Sequence, residues 1–310
     1  MPGRVLAIAL NTYRESVRAR ILIGLAGLAF AVALYSLVIG AFTLKNAPRV
    51  VSDLGAASIS LFSIAVAIVI GATSLHRELE QKTIFPILAR PIRRAEYLVG
   101  KYLGTVLTLA VFIAANSGVL LLALGIESGR PMSGPLAVAL GTTIAAGGLA
   151  FRFVRVRSYL PIPWALVFLL AGAYFASGAP DDRRVVLGSA VLTLAEVAVV
   201  TAIATVFSSF SSPFLSAVFT FGVFVVGRSA DTLARLPART FGPFLADAGA
   251  FLAKLVPNLM LYVPPRPLLT GEASGVSLGG YLGMAVIHSL AWSVLLLACA
   301  SILFRRRDFL

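Results

Sequence analysis

Long apolar runs with few or no charged residues recur along the whole chain. Six of them are long enough, or nearly so, to cross roughly 30 Å of hydrocarbon as helices. They cover residues 21–44, 54–75, 102–126, 185–207, 213–227 and 279–304. Because 59% of the residues are hydrophobic and only 13% are charged, the chain lies outside the range of soluble domains. The sequence therefore predicts an all-α, polytopic integral membrane protein.

Two weaker apolar runs lie between the third and fourth of these six, at 134–151 and 160–178. The first is rich in Gly, Ala and Thr, and the second is more strongly apolar. We interpret 134–178 as an additional helical hairpin, which gives about eight membrane-spanning helices in a single membrane domain, 1–310. Without this hairpin six spans would remain, and both chain ends would keep their positions.

The cationic residues are unevenly divided between alternate loops. If the N-terminus is cytoplasmic, the loops on its side of the membrane hold 16 of the 26 Lys and Arg, and the longer opposite loops hold 10. Cytoplasmic loops carry such an excess, so we expect both termini in the cytoplasm. The net charge of +13 then reflects topology and anionic membrane lipids. Nucleic-acid binding is the poorer explanation, since no soluble basic domain is present.

The N-terminal segment, 1–20, has the pattern of an amphipathic helix. Apolar side chains recur every three or four residues, with Arg and Glu between them: Val5, Ile8, Ala9, Tyr13 and Val17. The pattern predicts an interfacial helix along the inner membrane surface. A solvated cytoplasmic extension is the alternative.

A short basic segment, 76–101, separates the second and third apolar runs and carries six Lys and Arg. Oppositely charged residues four apart extend the second helix to Thr83, and Pro86 and Pro91 then break it. Pro91 suits the first turn of a new short helix that runs toward Lys101. The pattern predicts a rigid, kinked, basic elbow in the cytoplasm.

The same elbow carries a family resemblance. It contains Glu78 or Glu80, Thr83, Pro91, Arg93 or Arg94, and Gly100-Lys101 before an apolar span. With the segments 11–20, 201–213 and 304–309, this arrangement resembles the type-2 ATP-binding cassette (ABC) permeases, the membrane subunits of many prokaryotic exporters. Two features depart from the family pattern: Lys82 stands where Gly is common, and the hairpin extends the usual six spans.

The resemblance implies a permease domain that catalyses no reaction. It implies a dimer, formed with a second copy or a paralogue, in the cell (inner or plasma) membrane of a prokaryote. A separate ABC ATPase subunit would bind ATP and Mg, so that this chain holds no cofactor. The residues agree, because a P-loop needs Gly-x4-Gly-Lys-Ser/Thr. The only Gly-Lys pair, Gly100-Lys101, has Ala95 in place of the first Gly and is followed by Tyr102.

In such permeases the cytoplasmic elbow sits in a groove of the ATPase and transmits its closure to the membrane helices. We therefore expect an ATPase contact along 83–94, in which arginines pair with carboxylates of the partner. Topology alone would also explain the arginines, although not the paired prolines. The candidate ATPase-coupling residues are Glu78, Thr83, Arg90, Pro91, Arg93 and Arg94.

Glu196 lies near the middle of the apolar run 185–207. A carboxylate at that depth needs a partner, a proton or water. One interpretation is a polar contact that lines the translocation path or a hinge between helices. The other is a protonated or hydrogen-bonded carboxyl that packs against Thr193, Thr201 or Asn116.

Glycines within the apolar runs predict close approach between helices, mostly inside one subunit. They are Gly24, Gly27, Gly222, Gly227, Gly279 and Gly283.

The segment 228–278 is rich in proline and contains an apolar stretch, 241–260, which Asp247 and Lys254 interrupt. Spanning the membrane would bury those charges. We expect an extracytoplasmic segment of one or two short helices that rests on the outer surface as a gate or cap.

Three classes of function compete. An ABC exporter permease is favoured. A secondary transporter or channel would show internal repeats and several intramembrane charges, and a membrane enzyme would need converging acids, bases or ligands. His76 and His288 are isolated, so no metal site is predicted. An apolar chamber with Ser, Thr and Phe would suit lipids, hydrophobic drugs or an acyl-linked carrier, although the same residues also serve packing.

Overall fold

The structure is a computed structural model and describes residues 2–43, 46–80, 93–272, 275 and 277–305. These residues form thirteen α-helices and two 3₁₀ turns, with no strand among them. The first eight helices are α1 (Pro2–Val17), α2 (Arg20–Ala41), α3 (Ala47–Glu80), α4 (Arg94–Glu127), α5 (Ser133–Arg152), α6 (Pro161–Phe175), α7 (Pro180–Ser208) and α8 (Pro213–Arg228). Then follow α9 (Ala230–Ala234), α10 (Ala238–Phe241), α11 (Pro243–Leu255), α12 (Arg266–Thr270) and α13 (Leu278–Arg305), with 3₁₀ turns at Ala176–Gly178 and Leu259–Tyr262.

Seven helices of the described residues are long and apolar enough to cross a membrane: α2, α3, α4, α5, α6 with its 3₁₀ turn, α7 and α13. The predicted all-α polytopic membrane protein is thereby confirmed, and both helices of the hairpin are among the seven. The remaining predicted span, 213–227, lies in helix α8, which has only 16 residues. Such a helix is about 24 Å long, less than the hydrocarbon thickness.

The centre of the bundle is formed by α3, α4 and α7, whose buried side chains are mainly Leu, Ile, Val and Ala. Helices α3 and α7 approach closely because Gly71 faces Ala204: a Cβ at Gly71 would lie 2.6 Å from the Cβ of Ala204. Helix α5 lies at the periphery, and Pro135 is its one buried residue. In the described residues, the bundle therefore consists of a packed core with lipid-facing helices around it.

Glycines on two faces of α4 allow other helices to contact its backbone. Gly104 faces α1, where an added Cβ would lie 2.4 Å from the carbonyl oxygen of Ala9. Gly118 faces α6, where an added Cβ would lie 2.8 Å from the carbonyl carbon of Phe168. Gly172 of α6 completes this second contact, against the carbonyl oxygen of Gly118. Both α1 and the additional hairpin are thus held against α4 by backbone contact.

The glycines predicted to pack were mostly the wrong ones. Of the six, Gly227 alone is in close contact, against the carbonyl oxygen of Pro257 at 2.8 Å from an added Cβ. Among the described residues, the other five have no atom close enough to meet an added Cβ within 4 Å: Gly24, Gly27, Gly222, Gly279 and Gly283. A glycine in an apolar run is compatible with a core face or a lipid face, and the sequence does not distinguish them.

Helix α1 is amphipathic, as predicted, and its buried face packs against the bundle. Tyr13 is fully buried and stacks on Tyr159, with ring centroids 6.3 Å apart. Arg18 donates a hydrogen bond from Nη2 to Oγ of Ser158, at 3.0 Å. These contacts fix α1 to the loop between α5 and α6. Burial raises the pKa of the Tyr13 phenol to about 12, so the ring stays neutral at physiological pH.

The segment 228–278 contains four short helices and a 3₁₀ turn, more elements than the one or two predicted. It also does not rest entirely on the surface. Leu259 and Tyr262 of the 3₁₀ turn are buried, and the hydroxyl of Tyr262 lies 2.9 Å from Nδ1 of His288. His288 is ten residues into α13, about 15 Å along that helix. The turn packs against the end of α8, where Gly227 has no side chain to keep Pro257 and Leu259 away.

Candidate functional site

The elbow joins α3, which ends at Glu80, to α4, which begins at Arg94. Three of the predicted coupling residues, Thr83, Arg90 and Pro91, lie outside the described residues, as does the side chain of Glu78. Arg93 and Arg94 are described and lie at the start of α4. Their roles as contacts to a partner stay predictions.

Arg94 also contacts the end of the last helix. Its Nη1 donates a hydrogen bond to the carbonyl oxygen of Phe304, at 3.3 Å. A cation near a helix C-terminus complements the helix dipole. Arg93, by contrast, presents an exposed side chain. The two arginines predicted to act together therefore have different surroundings: Arg94 contacts α13, and the side chain of Arg93 is exposed.

The helix predicted to run toward Lys101 is present from Arg94 onward, but it is not short, and its predicted start at Pro91 lies outside the described residues. Helix α4 runs unbroken from Arg94 to Glu127, because neither proline nor a turn sequence follows Pro91 in this region. Lys101 is consequently inside the bundle and only 4% exposed. Its ammonium group donates hydrogen bonds to the carbonyl oxygen and the hydroxyl of Ser74 and lies 5.6 Å from the ring centroid of Tyr97. Lys101 thus joins α4 to α3 through Ser74, at the end of the bundle where the elbow connects the two helices.

Lys101→Met should reduce the free energy of unfolding by about 1–3 kcal/mol, the usual cost of leaving a buried polar group without its partner. Methionine retains the aliphatic chain but leaves Ser74 without its donor. Thermal unfolding in detergent would measure the change. The exposed Lys254 provides the control, since Lys254→Met should unfold like the wild type. Equal unfolding temperatures for both variants would contradict a structural role for Lys101.

Glu196 forms a two-hydrogen-bond ion pair with Arg228. Nε of Arg228 donates to Oε1 at 2.7 Å, and Nη2 donates to Oε2 at 2.8 Å. The side chain of Glu196 is 1% exposed and that of Arg228 is 24% exposed. This geometry is the strong, planar arrangement of an arginine with a carboxylate. The pair lies between α7 and the last residue of α8.

The predicted partners of Glu196 were therefore wrong. Asn116 instead donates from Nδ2 to the carbonyl oxygen of Phe112 in its own helix, at 2.9 Å, and Thr193 lines a cavity. Arg228 directly follows the apolar run 213–227, and this position predicts a loop cation. The shortness of that run is the sequence feature that could have indicated a position of Arg228 beside the bundle. Because α8 has only 16 residues, it ends beside the middle of α7, where Arg228 reaches Glu196.

A cavity of about 680 Å³ opens at the end of the bundle opposite the elbow, here called the distal end. Arg49, Asp53 and Arg266 line the part of the cavity near the start of α3, here called its mouth. Arg228 lies farther along the bundle, beside Glu196. Its volume is within the range of small-molecule sites. The walls are mainly apolar and are contributed by α3, α7, α8, α12 and the 3₁₀ turn at 259–262: Ala56, Ala57, Leu61, Ile64, Val185, Phe224, Met260, Val263, Pro264 and Leu269.

An ionic cluster closes one side of the mouth. Arg266 of α12 pairs with Asp53 of α3 and with Asp182 of α7. Ser52 donates a hydrogen bond to Asp182 at 2.9 Å, and Arg184 donates to the carbonyl oxygen of Thr270 at 3.3 Å. In the sequence these charged residues lie in separate loops. The tertiary structure joins them and fixes α12 to the distal ends of two core helices.

The comparisons with known proteins agree with this architecture. The family model described as ABC-2 family transporter protein matches residues 6–309, which is nearly the whole chain. No curated protein matches the sequence. The match includes the elbow, the core helices and the distal segment. The chain belongs to the ABC-2 family of transporter proteins and is a multi-pass membrane protein, the permease of an ABC transporter.

Proposed function

We propose that the chain is the membrane subunit of an ATP-driven exporter and catalyses no reaction itself. A separate ABC ATPase would bind ATP and Mg, and the elbow would transmit its movement. The family membership supports this division of labour. We further propose that the elbow and both termini lie in the cytoplasm of a prokaryote, since most Lys and Arg of the loops would then face the cytoplasmic side.

The observation that carries the proposal is the continuity of α3 and α4. Each has 34 residues, which is about 50 Å of helix. Near the elbow, Lys101 of α4 donates a hydrogen bond to Ser74 of α3 and holds the two helices together. Helix α3 runs from the elbow to the mouth of the cavity, where it contributes Arg49 and Asp53. A displacement of the elbow would therefore reach the cavity along a rigid element.

We propose that the elbow contacts the ATPase through Glu78, Thr83, Arg90, Pro91, Arg93 and Arg94. The exposed side chain of Arg93 supports this contact, because it is available to a carboxylate of the partner. Arg94 would link the contact to α13 through Phe304. Each elbow would serve one ATPase, in a dimer with a second copy or a paralogue, surrounded by membrane lipids.

The test replaces two of these arginines in the tagged full-length chain. Arg90→Glu with Arg93→Glu should abolish co-purification of a P-loop ATPase that the wild type retains, because the carboxylate partners would meet like charges. Mass spectrometry would identify the ATPase. Arg235→Glu with Arg239→Glu, at two exposed arginines of the segment 228–278, is the matched control and should keep the ATPase.

Labelling provides the second half of this test. In a Cys299→Ser background, which removes the single cysteine, Thr83→Cys should react with an impermeant maleimide only after the cells are permeabilised. Reaction in intact cells would place the elbow outside and end the proposal. Retention of the ATPase by the elbow variant would refute the contact itself.

A further inference from the structure

The distal cavity presents two kinds of surface to a ligand. Most of its lining is apolar, and its charged lining residues are Arg49, Arg228 and Arg266 with one acid, Asp53. The carboxylates of Glu196 and Asp182 pair with Arg228 and Arg266 but do not line the cavity. A molecule inside would therefore meet three guanidinium groups, the carboxylate of Asp53 and apolar side chains, with the other two carboxylates, of Glu196 and Asp182, behind the arginines.

Arg228 has hydrogen-bonding capacity left for such a molecule. A guanidinium carries five N–H donors, and the pair with Glu196 uses one on Nε and one on Nη2. The side chain is 24% exposed and lines the cavity. Its guanidinium carbon lies 5.6 Å from the ring centroid of Phe224. A charged donor group therefore lies next to an apolar wall, away from the cavity mouth.

The apolar wall is exposed along part of α3. Its apolar lining residues on this helix are Ala56, Ala57, Leu61 and Ile64, which cover about 12 Å of helix. Leu61 is 64% exposed, and Asp53 and Ala57, each one turn apart on the same face, are also exposed. An elongated apolar chain could lie along this face and enter from the side of the bundle.

We infer that this cavity binds a hydrophobic organic anion: a phosphate or carboxylate head on Arg228 and an alkyl or acyl chain along Leu61, Ile64 and Phe224. The inference rests on the proposed function, since it names the class of substrate that the permease would move. Anionic heads suit arginine because charge-assisted, two-point hydrogen bonds form with both oxyanions. Glu196 holds Arg228 in place and competes with the ligand for its donors.

The test is a binding measurement on the purified full-length chain in nanodiscs of zwitterionic lipid, without any ATPase. The probe is radiolabelled dodecyl phosphate, and dodecyltrimethylammonium has the same chain with a cationic head. The wild type should bind the anion at least about tenfold more tightly than the cation, since a hydrogen bond to a charged group contributes roughly a factor of ten or more. Equal affinity for both probes would overturn the inference.

Two variants with opposite expected effects make the test specific. Glu196→Gln should tighten dodecyl phosphate binding by about tenfold or more, because the competing carboxylate charge is gone while a hydrogen-bond partner for Arg228 remains. Glu196→Gln with Arg228→Gln should weaken it by at least about tenfold relative to the wild type. Arg239→Gln, at an exposed arginine that does not line the cavity, should leave the affinity unchanged.

The outcomes separate this inference from the proposed function. Unchanged or weaker binding in Glu196→Gln would overturn the anion site, and so would unchanged binding in the double variant. If the double variant fails to fold, the direction of the Glu196→Gln effect still decides. A negative result would leave the coupling of elbow and ATPase standing, since no ATPase takes part. Retention of the ATPase by the elbow variant, with intact anion binding in the wild type, would refute the proposed coupling and leave the cavity assignment.

Discussion

Arg228→Ala is expected to reduce the free energy of unfolding by about 3–5 kcal/mol, the usual cost of removing one partner of a buried ion pair. The variant leaves Glu196, 1% exposed, as a carboxylate between apolar helices with no countercharge. It must then take up a proton or draw water into the bundle. Denaturant unfolding in detergent, followed by helical circular dichroism, would measure the loss.

The order of three variants tests this explanation. Glu196→Gln should cost less than Arg228→Ala, because Arg228 borders the cavity, where water can solvate its charge, and glutamine still accepts a hydrogen bond. The double variant Glu196→Gln with Arg228→Gln should also cost less, since no charge is left buried. If both single variants are equally destabilised, the cause is lost packing and not the uncompensated carboxylate.

Gly118→Leu is expected to separate α6 from α4 and to lower stability by about 1–3 kcal/mol or more. The first added atom alone would lie 2.8 Å from the carbonyl carbon of Phe168 and 2.9 Å from the nitrogen of Leu169. These are backbone atoms, so no side-chain rotation can relieve the overlap. The helix must move, and the hairpin of α5 and α6 with it.

Tryptophan fluorescence would report this movement directly. Trp164 of α6 packs against Phe168, with ring centroids 4.9 Å apart, and Trp292→Phe removes the second of the two tryptophans. In that background Gly118→Leu should shift the emission and lower the unfolding temperature. Gly141→Leu on α5, where an added Cβ meets nothing within 4 Å among the described residues, is the control. Matching spectra and unfolding temperatures would show that the glycine contact is dispensable.

The elements of the fold could be predicted from the sequence because the bilayer imposes one rule. A backbone inside hydrocarbon must satisfy its hydrogen bonds internally, so each apolar run of sufficient length becomes a helix. This rule predicted the hairpin of α5 and α6, even though α5 is rich in Gly and Thr. It failed at the elbow, where α4 begins earlier than the apolar run because polar residues such as Lys101 can be buried when a partner is near.

Of the candidate site, the elbow could be predicted from the sequence and the distal cavity could not. The elbow residues came from composition and resemblance; Arg93 and Arg94 lie where α4 begins, and their role stays a prediction. The distal cavity and its ionic mouth were not predicted. Arg266, Asp53 and Asp182 are far apart in the chain, and the sequence offers no spacing that relates them.

Hydropathy and the family match identify this protein as a polytopic helical membrane protein of the ABC-2 family, and the position of Glu196 within an apolar run shows that its carboxylate needs a partner. The packing of the helices, by contrast, makes Arg228 this partner, makes Gly104 and Gly118 contact points, and opens a cavity beside α3. The physical reason is that helix formation depends on local hydrophobicity and length. Partner choice depends instead on the depth and rotation of each helix in the bundle, which no single run of residues encodes.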